Sequence, residues 1–338
     1  MKMTRESNIE LLRIVAMFMI LGLHANMFAL GLPNKSDIIH NPTTSITRFF
    51  FEHICIMGVN IFVLISGWFG IRYRTKGLCS FLFQSLFFSI VIFLPFALSG
   101  NIELNRINIL SSLLIYKNAY WFVWAYLILY ILSPILNSFI ENTDRLVYTR
   151  LLILFFSAQT IIFIFTPCGF FHNGGYDPLL FIGLYLLMAY IRRYPIDIKK
   201  YQCFLLWFFC VLANTSLCST GNSTLATISL AYTNPLNIIG AAAFVLLFTK
   251  ISIRSNFINN IAASSFAVYL LHMHFCIITH YKACALTIFN KNGGIMYAIL
   301  ITLFMIAVFA VSVLIDKVRI FTFNKLWNIV EKRKNVTQ

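Results

Sequence analysis

Apolar stretches of membrane-spanning length follow one another along this chain, separated by short polar links. Ten stand out, at residues 9–31, 54–71, 78–99, 118–140, 150–166, 178–191, 201–219, 230–249, 257–280 and 295–315. A run of about 20 apolar residues, rising ~1.5 Å per residue as a helix, matches the ~30 Å hydrocarbon core of a bilayer. Within that core every backbone polar group must find its partner inside the protein, which favours helices. The expected fold class is therefore all-α, a polytopic integral membrane protein of about ten transmembrane helices. Composition agrees: 59% of residues are hydrophobic, 11% are charged, and Phe alone supplies 35 of 338. A soluble domain of this length has no room to hide that much apolar surface.

The formal charge of +15 would suggest a nucleic-acid partner in a soluble chain. Here its distribution argues otherwise, because the cations gather in alternate links. With the N-terminus inside, nineteen of the 26 Lys and Arg residues fall on the inner side. They include Lys2, Arg5, Arg72, Arg74, Lys76, Arg145, Arg150, Arg192, Arg193, Lys199, Lys200, Lys250 and Arg254, with the basic tail completing the set. The outer links hold only Lys35, Arg48, Arg106, Lys117, Lys282 and Lys291. By the positive-inside rule both termini lie in the cytoplasm. A nucleic-acid partner is not expected; membrane lipids are.

The first apolar stretch carries two ionisable residues, Arg13 and His24. Such groups at membrane depth are costly and mark function by default. Eleven residues at ~100° each bring both side chains to one helix face, ~16 Å apart along the axis. Arg13 then faces the cytoplasmic side and His24 the outer side. Arg13 offers a charged fork suited to phosphate or carboxylate. Glu10, three residues earlier, is placed to pair with it, and simple neutralisation for insertion is the alternative. A neutral His24 imidazole can take a proton from a hydroxyl or carry an acyl group covalently, and the alternative is a packing histidine. His272 follows the Arg254-Ser255 turn by some 17 residues. A continuous helix would lift it ~25 Å, toward the depth of His24. Arg72 and Arg74 are either phosphate-gripping or topology-setting.

One domain is expected over 1–338, with a core at 7–315 and a basic tail at 316–338 that lies along the membrane or is solvated. The outer links Pro33–His53 and Gly100–Lys117 are too short to fold alone. Stretch one is too long for a cleavable signal and lacks its cleavage pattern, so it is expected to stay as an anchor. The eight cysteines are scattered with no metal-ligand spacing, so they read as small hydrophobes and no metal is expected. Ser66-Gly67 reads as a close-packing pair. Trp121 and Trp124 suit either a glycan path or an interfacial belt.

Several segments together resemble acyltransferase family 3, a family of bacterial membrane proteins. Glu10-Leu-Leu-Arg13, with ten residues between Arg13 and His24, is similar to the family's N-terminal signature. That signature often has Asp-Gly where this chain has Glu10-Leu11. Val59-Asn-Ile-Phe62 through Ser66-Gly67, with Arg72 and Arg74 beyond, resembles its second-helix motif. Tyr120-Trp121-Phe122-Val-Trp124-Ala-Tyr126 and Ser264-Ser265-Phe266-Ala-Val-Tyr269-Leu-Leu-His272 resemble two later ones.

The resemblance runs in order from about residue 7 to 315. It implies O-acyl transfer from cytoplasmic acyl-CoA, most often acetyl-CoA, to a hydroxyl of a surface glycan or its lipid-linked precursor. O-antigen, capsule and exopolysaccharide are the expected acceptors, and the bacterial inner membrane the expected location. It also implies that Glu10, Arg13, His24 and His272 serve the reaction, and that Arg13, Arg72 and Arg74 hold the donor. The chain resembles the stand-alone members, which lack an added hydrolase-like domain. A flippase for a lipid-linked glycan, an acyltransferase for a small-molecule acceptor, and a membrane scaffold are the rivals.

Overall fold

The computed structural model describes residues 6–115, 120–165 and 174–336, with side chains to 332. Cys168, Lys2, Arg5 and Lys117 lie outside the described residues, as do the side chains of Arg333 and Lys334. The described residues form sixteen α-helices and one π-helical turn, with no strand. In chain order the elements are α1 (Ser7–Leu23), the π-turn (His24–Phe28), α2 (Lys35–His40), α3 (Pro42–Cys55), α4 (Met57–Phe69), α5 (Thr75–Leu98), α6 (Arg106–Ser112), α7 (Trp121–Asn142), α8 (Arg145–Phe165), α9 (Pro178–Arg193), α10 (Lys200–Ser219), α11 (Ser223–Leu230), α12 (Pro235–Thr249), α13 (Asn256–Ala262), α14 (Ser265–His272), α15 (Ile278–Lys291) and α16 (Gly294–Val336).

Among the described residues eight helical stretches are long and apolar enough to cross a membrane: Ser7–Phe28, Pro42–Phe69, Thr75–Leu98, Trp121–Asn142, Arg145–Phe165, Lys200–Ser219, Ser223–Thr249 and Gly294–Lys332. The two missing from the expected ten differ for separate reasons. Stretch 178–191 becomes α9, a 16-residue helix of ~24 Å, short of the ~30 Å core. Stretch 257–280 is broken into α13, α14 and the start of α15. The ~25 Å rise expected for His272 assumed one continuous helix, so that depth argument falls. The outer link Pro33–His53 is also not a loop: α3 runs into α4 with a one-residue joint at Ile56.

Local chemistry explains many boundaries. Asn34, Asp177, Asn222 and Asn234 cap α2, α9, α11 and α12 by accepting from free backbone N–H groups, as N-cap side chains do. Pro42, Pro178 and Pro235 stand in the first turns of α3, α9 and α12, where a missing N–H costs nothing. Pro134 lies inside α7 and leaves the Tyr130 carbonyl without its helical donor. Ser133 Oγ donates to that carbonyl at 2.7 Å.

Two compact units form. The first comprises residues 1–73 and 121–262, the second 74–120 and 263–338. In the first, α4 packs against α1, α9 and α12, and α10 against α12 and α3. A polar staple holds the turn between α11 and α12. Asn60 of α4 donates to the Tyr232 carbonyl at 3.0 Å, and Gln159 of α8 to that of Thr233 at 3.2 Å. Asn237 donates to the Ser229 and Ala231 carbonyls, and Asn214 of α10 to Asn237 at 2.8 Å. Buried amides in apolar surroundings are costly unless paired, so this network fixes one arrangement of α10, α11 and α12.

In the second unit α14 and α5 pack against α16. With 43 residues, α16 is ~64 Å long, about twice the hydrocarbon core. The basic tail is thus its continuation, not a separate surface segment. Phe323 stacks on Trp327 and meets Phe83 of α5, while Lys76 pairs with Glu331 at 3.9 Å. Within the buried stretch Asp316 accepts from Gln84 at 3.0 Å and pairs with Arg319 at 2.7 Å.

Candidate functional site

One end of α1 carries an ion pair. Arg13 Nη1 donates to Glu10 Oε1 at 2.8 Å, the geometry that i,i+3 spacing allows. Glu10 is buried and its second carboxylate oxygen has no hydrogen-bond partner. The Arg13 side chain stays 31% exposed, its guanidinium carbon 5.7 Å from the Phe69 ring centre at the end of α4. The pair therefore occupies one edge of the guanidinium and leaves the side chain partly exposed.

At the other end of α1 the helix changes pitch. His24 opens the π-turn, and the Ala29 N–H reaches the His24 carbonyl five residues back. Such turns recur at functional sites. His24 is 6% exposed, its ring 4.6 Å from that of Phe28.

Two residues on, Asn26 ties the turn to α3. Its amide donates to Glu52 Oε2 at 2.6 Å and to the Arg48 carbonyl at 3.2 Å. Arg48 Nε donates back to Asn26 Oδ1 at 3.0 Å, and the same guanidinium bonds the Gly31 carbonyl. Glu52 is fully buried, with Oε1 unpartnered. A buried carboxyl group with one oxygen lacking a hydrogen-bond partner, beside the turn that His24 opens, makes Glu52 a candidate site residue. Nothing in the sequence marks Glu52, because Pro33–His53 reads as a polar outer link, where a glutamate means little.

Next to Glu52, His53 is also fully buried. Its Nδ1 donates to the Phe49 carbonyl at 2.7 Å, which leaves Nε2 to accept, 3.2 Å from Ser229 Oγ. Cys218 Sγ lies 3.2 Å from the same hydroxyl. Cys218 and Phe49 form part of the wall of a cavity of ≈ 580 Å³, with Met27 of the π-turn, Tyr176 and Leu230. Its rim is polar, from Asn34, Lys35, Asn222 and Thr227. Trp121 packs 4.6 Å from Tyr176 and 5.9 Å from Tyr232, behind that wall, whereas Trp124 is 45% exposed and faces outward. The two tryptophans thus part company.

The remaining expected residues are dispersed. Arg72 lines a separate cavity of ≈ 440 Å³ with Arg192 and Arg193. Arg74 stands at the N-cap of α5 and belongs to the second unit. His272, also in the second unit, ends α14, fully buried, with Nδ1 donating to the Val268 carbonyl. Its ring lies 5.4 Å from Tyr281. Neighbouring His274 has both nitrogens engaged, with the Ser89 carbonyl and the Cys276 N–H, which makes it a structural histidine. Among the described residues no three His, Cys, Asp or Glu side chains converge as a metal site would require.

In comparison with known families, a model described as an acyltransferase domain matches residues 6–317. No curated protein and no solved structure matches the chain.

Proposed function

The chain belongs to acyltransferase family 3 and is a multi-pass membrane acyltransferase; from that premise we propose that it O-acetylates a bacterial surface polysaccharide, using cytoplasmic acetyl-CoA at the inner membrane. The observation that carries this reading is the two-ended first span. An ion-paired arginine stands toward one end, and a histidine opens a π-turn at the other, whose Met27 lines the ≈ 580 Å³ cavity. With both termini cytoplasmic, Arg13 lies on the donor side and the cavity on the acceptor side. Eight long helices, or ten if α9 and the broken 257–291 segment also cross, are an even number, which is consistent with termini on one side.

The chemistry follows from the groups present. The acceptor hydroxyl oxygen attacks the thioester carbonyl, the C–S bond breaks, and the hydroxyl proton must leave. His24 takes that proton and returns it to the departing thiolate. A route through an acyl-imidazole would use the same ring, so both routes depend on His24. Proton transfer of this kind is typically worth 10²–10⁴-fold in rate. Glu52 acts as a positioning residue, holding Asn26 and through it the π-turn. Arg13 and Arg72 hold the anionic part of the donor, and His272 orients groups within its own unit.

The polar rim and aromatic wall of the acceptor cavity suit a sugar better than a lipid tail, which favours a glycan over other acceptors. The broken 257–291 segment is the observation that speaks for the flippase rival, since transporters use interrupted helices at their sites. Mass spectrometry of the host's surface polysaccharide decides between them. Loss of ester groups with normal glycan export, on deleting this chain, is the expected result. Lost export with unchanged ester content per repeat would replace the reading with transport.

A further inference from the structure

We propose that Arg192 and Arg193, together with Arg72 and the Trp68 ring, form the pocket that grips the phosphates of the donor, an inference that rests on the acyl-CoA reading above. The cavity of ≈ 440 Å³ between the end of α4, α7 and the end of α9 is lined by these three arginines and by one acid, Glu141. A topology-setting loop needs cations but no fixed geometry, and this one is fixed at several points. Gly70 turns the chain out of α4 with φ +73°, a conformation that favours glycine. The following residue is held on both sides: Ile71 N–H donates to Tyr185 Oη at 2.9 Å, and Asn137 donates to the Ile71 carbonyl at 2.8 Å. Tyr185 in turn donates to Asn137 Oδ1 at 2.6 Å, closing the ring. Arg72 therefore leaves from an anchored backbone.

The facing wall is equally constrained. A Cβ on Gly67 would fall on the Tyr185 carbonyl oxygen, so α4 and α9 touch backbone to backbone here. That contact brings the last turn of α9 beside the last turn of α4. Arg192 bonds the Trp68 carbonyl and sits 5.5 Å over the Trp68 ring, while Arg193 sits 5.5 Å over the ring of Tyr194. Arginines positioned in this way lose little freedom when they bind an anion. Three cations against one acid, at the same end of α4 as the Phe69 ring under Arg13, fit a multiply phosphorylated ligand such as the nucleotide end of CoA.

The test is equilibrium binding to detergent-purified protein, comparing CoA with pantetheine, which lacks the phosphates. Wild type is expected to bind CoA more tightly than pantetheine. In R192Q/R193Q the CoA affinity is expected to fall about tenfold or more, one charge-assisted contact being worth ~1.5–3 kcal/mol and tenfold ~1.4 kcal/mol. Pantetheine affinity should not move, and R150Q, outside the pocket, should match wild type. If the double variant weakens both ligands equally, the arginines only hold helices together and the proposal fails. Unchanged CoA binding by the double variant also overturns it. If wild type itself binds no CoA, the donor reading falls first.

Discussion

Glu52 and His24 differ in how a sequence reveals them. His24 is visible because it interrupts an apolar run at a fixed spacing from Arg13. The Glu10–Arg13 pair is visible because residues three apart meet on any helix. Glu52 is invisible because its neighbours Arg48 and His53 make the segment look aqueous, and only the continuity of α3 with α4 buries it. The role proposed for it is separable from its packing. In E52Q the volume and a hydrogen bond to Asn26 survive but the acid is lost. Transfer is expected to slow about tenfold, comparable to the net worth of one hydrogen bond in the network that holds the π-turn, with folding retained. A wild-type rate for E52Q, measured as labelled acetyl incorporated per minute, would reduce Glu52 to a structural partner.

At the scale of elements, the long apolar helices were legible from hydropathy and their breaks were not. Residues 273–277 (MHFCI) contain neither Gly nor Pro, so nothing in the chain announces that α14 ends at His272. The π-turn at His24–Phe28 is equally silent. The extension of α16 did leave a signal: Ile320, Phe323 and Trp327 recur at helical spacing without a breaker, and the packing of Phe323 on Phe83 uses it. Small residues read correctly as close-approach sites. Gly67 is the sharpest case, with no room for a Cβ against α9. G67V is expected to destabilise the protein by about 1–3 kcal/mol through overpacking, seen as a lower thermal midpoint in detergent. An unchanged midpoint would mean that α4 and α9 are not in backbone contact.

For the whole molecule, the proposed orientation rests on the charge asymmetry of the links, and it assigns the donor and the acceptor to opposite ends of α1. A C-terminal reporter that matures only in the cytoplasm is expected to be active; a silent reporter, with the fusion present in the membrane, would invert donor and acceptor sides. The class of activity was legible because several loose segments recur in family order, while the cavity proposed for the acceptor, built from α3, α10, α11 and the π-turn, arises only when distant stretches fold together. The most direct measurement is transfer itself: inverted vesicles carrying the protein and its glycan are given labelled acetyl-CoA on the exposed cytoplasmic face. Wild-type vesicles are expected to label the enclosed glycan, and H24A vesicles with equal amounts of inserted protein to lose at least about a hundredfold of that rate. Labelling by H24A at the wild-type rate would contradict the central assignment.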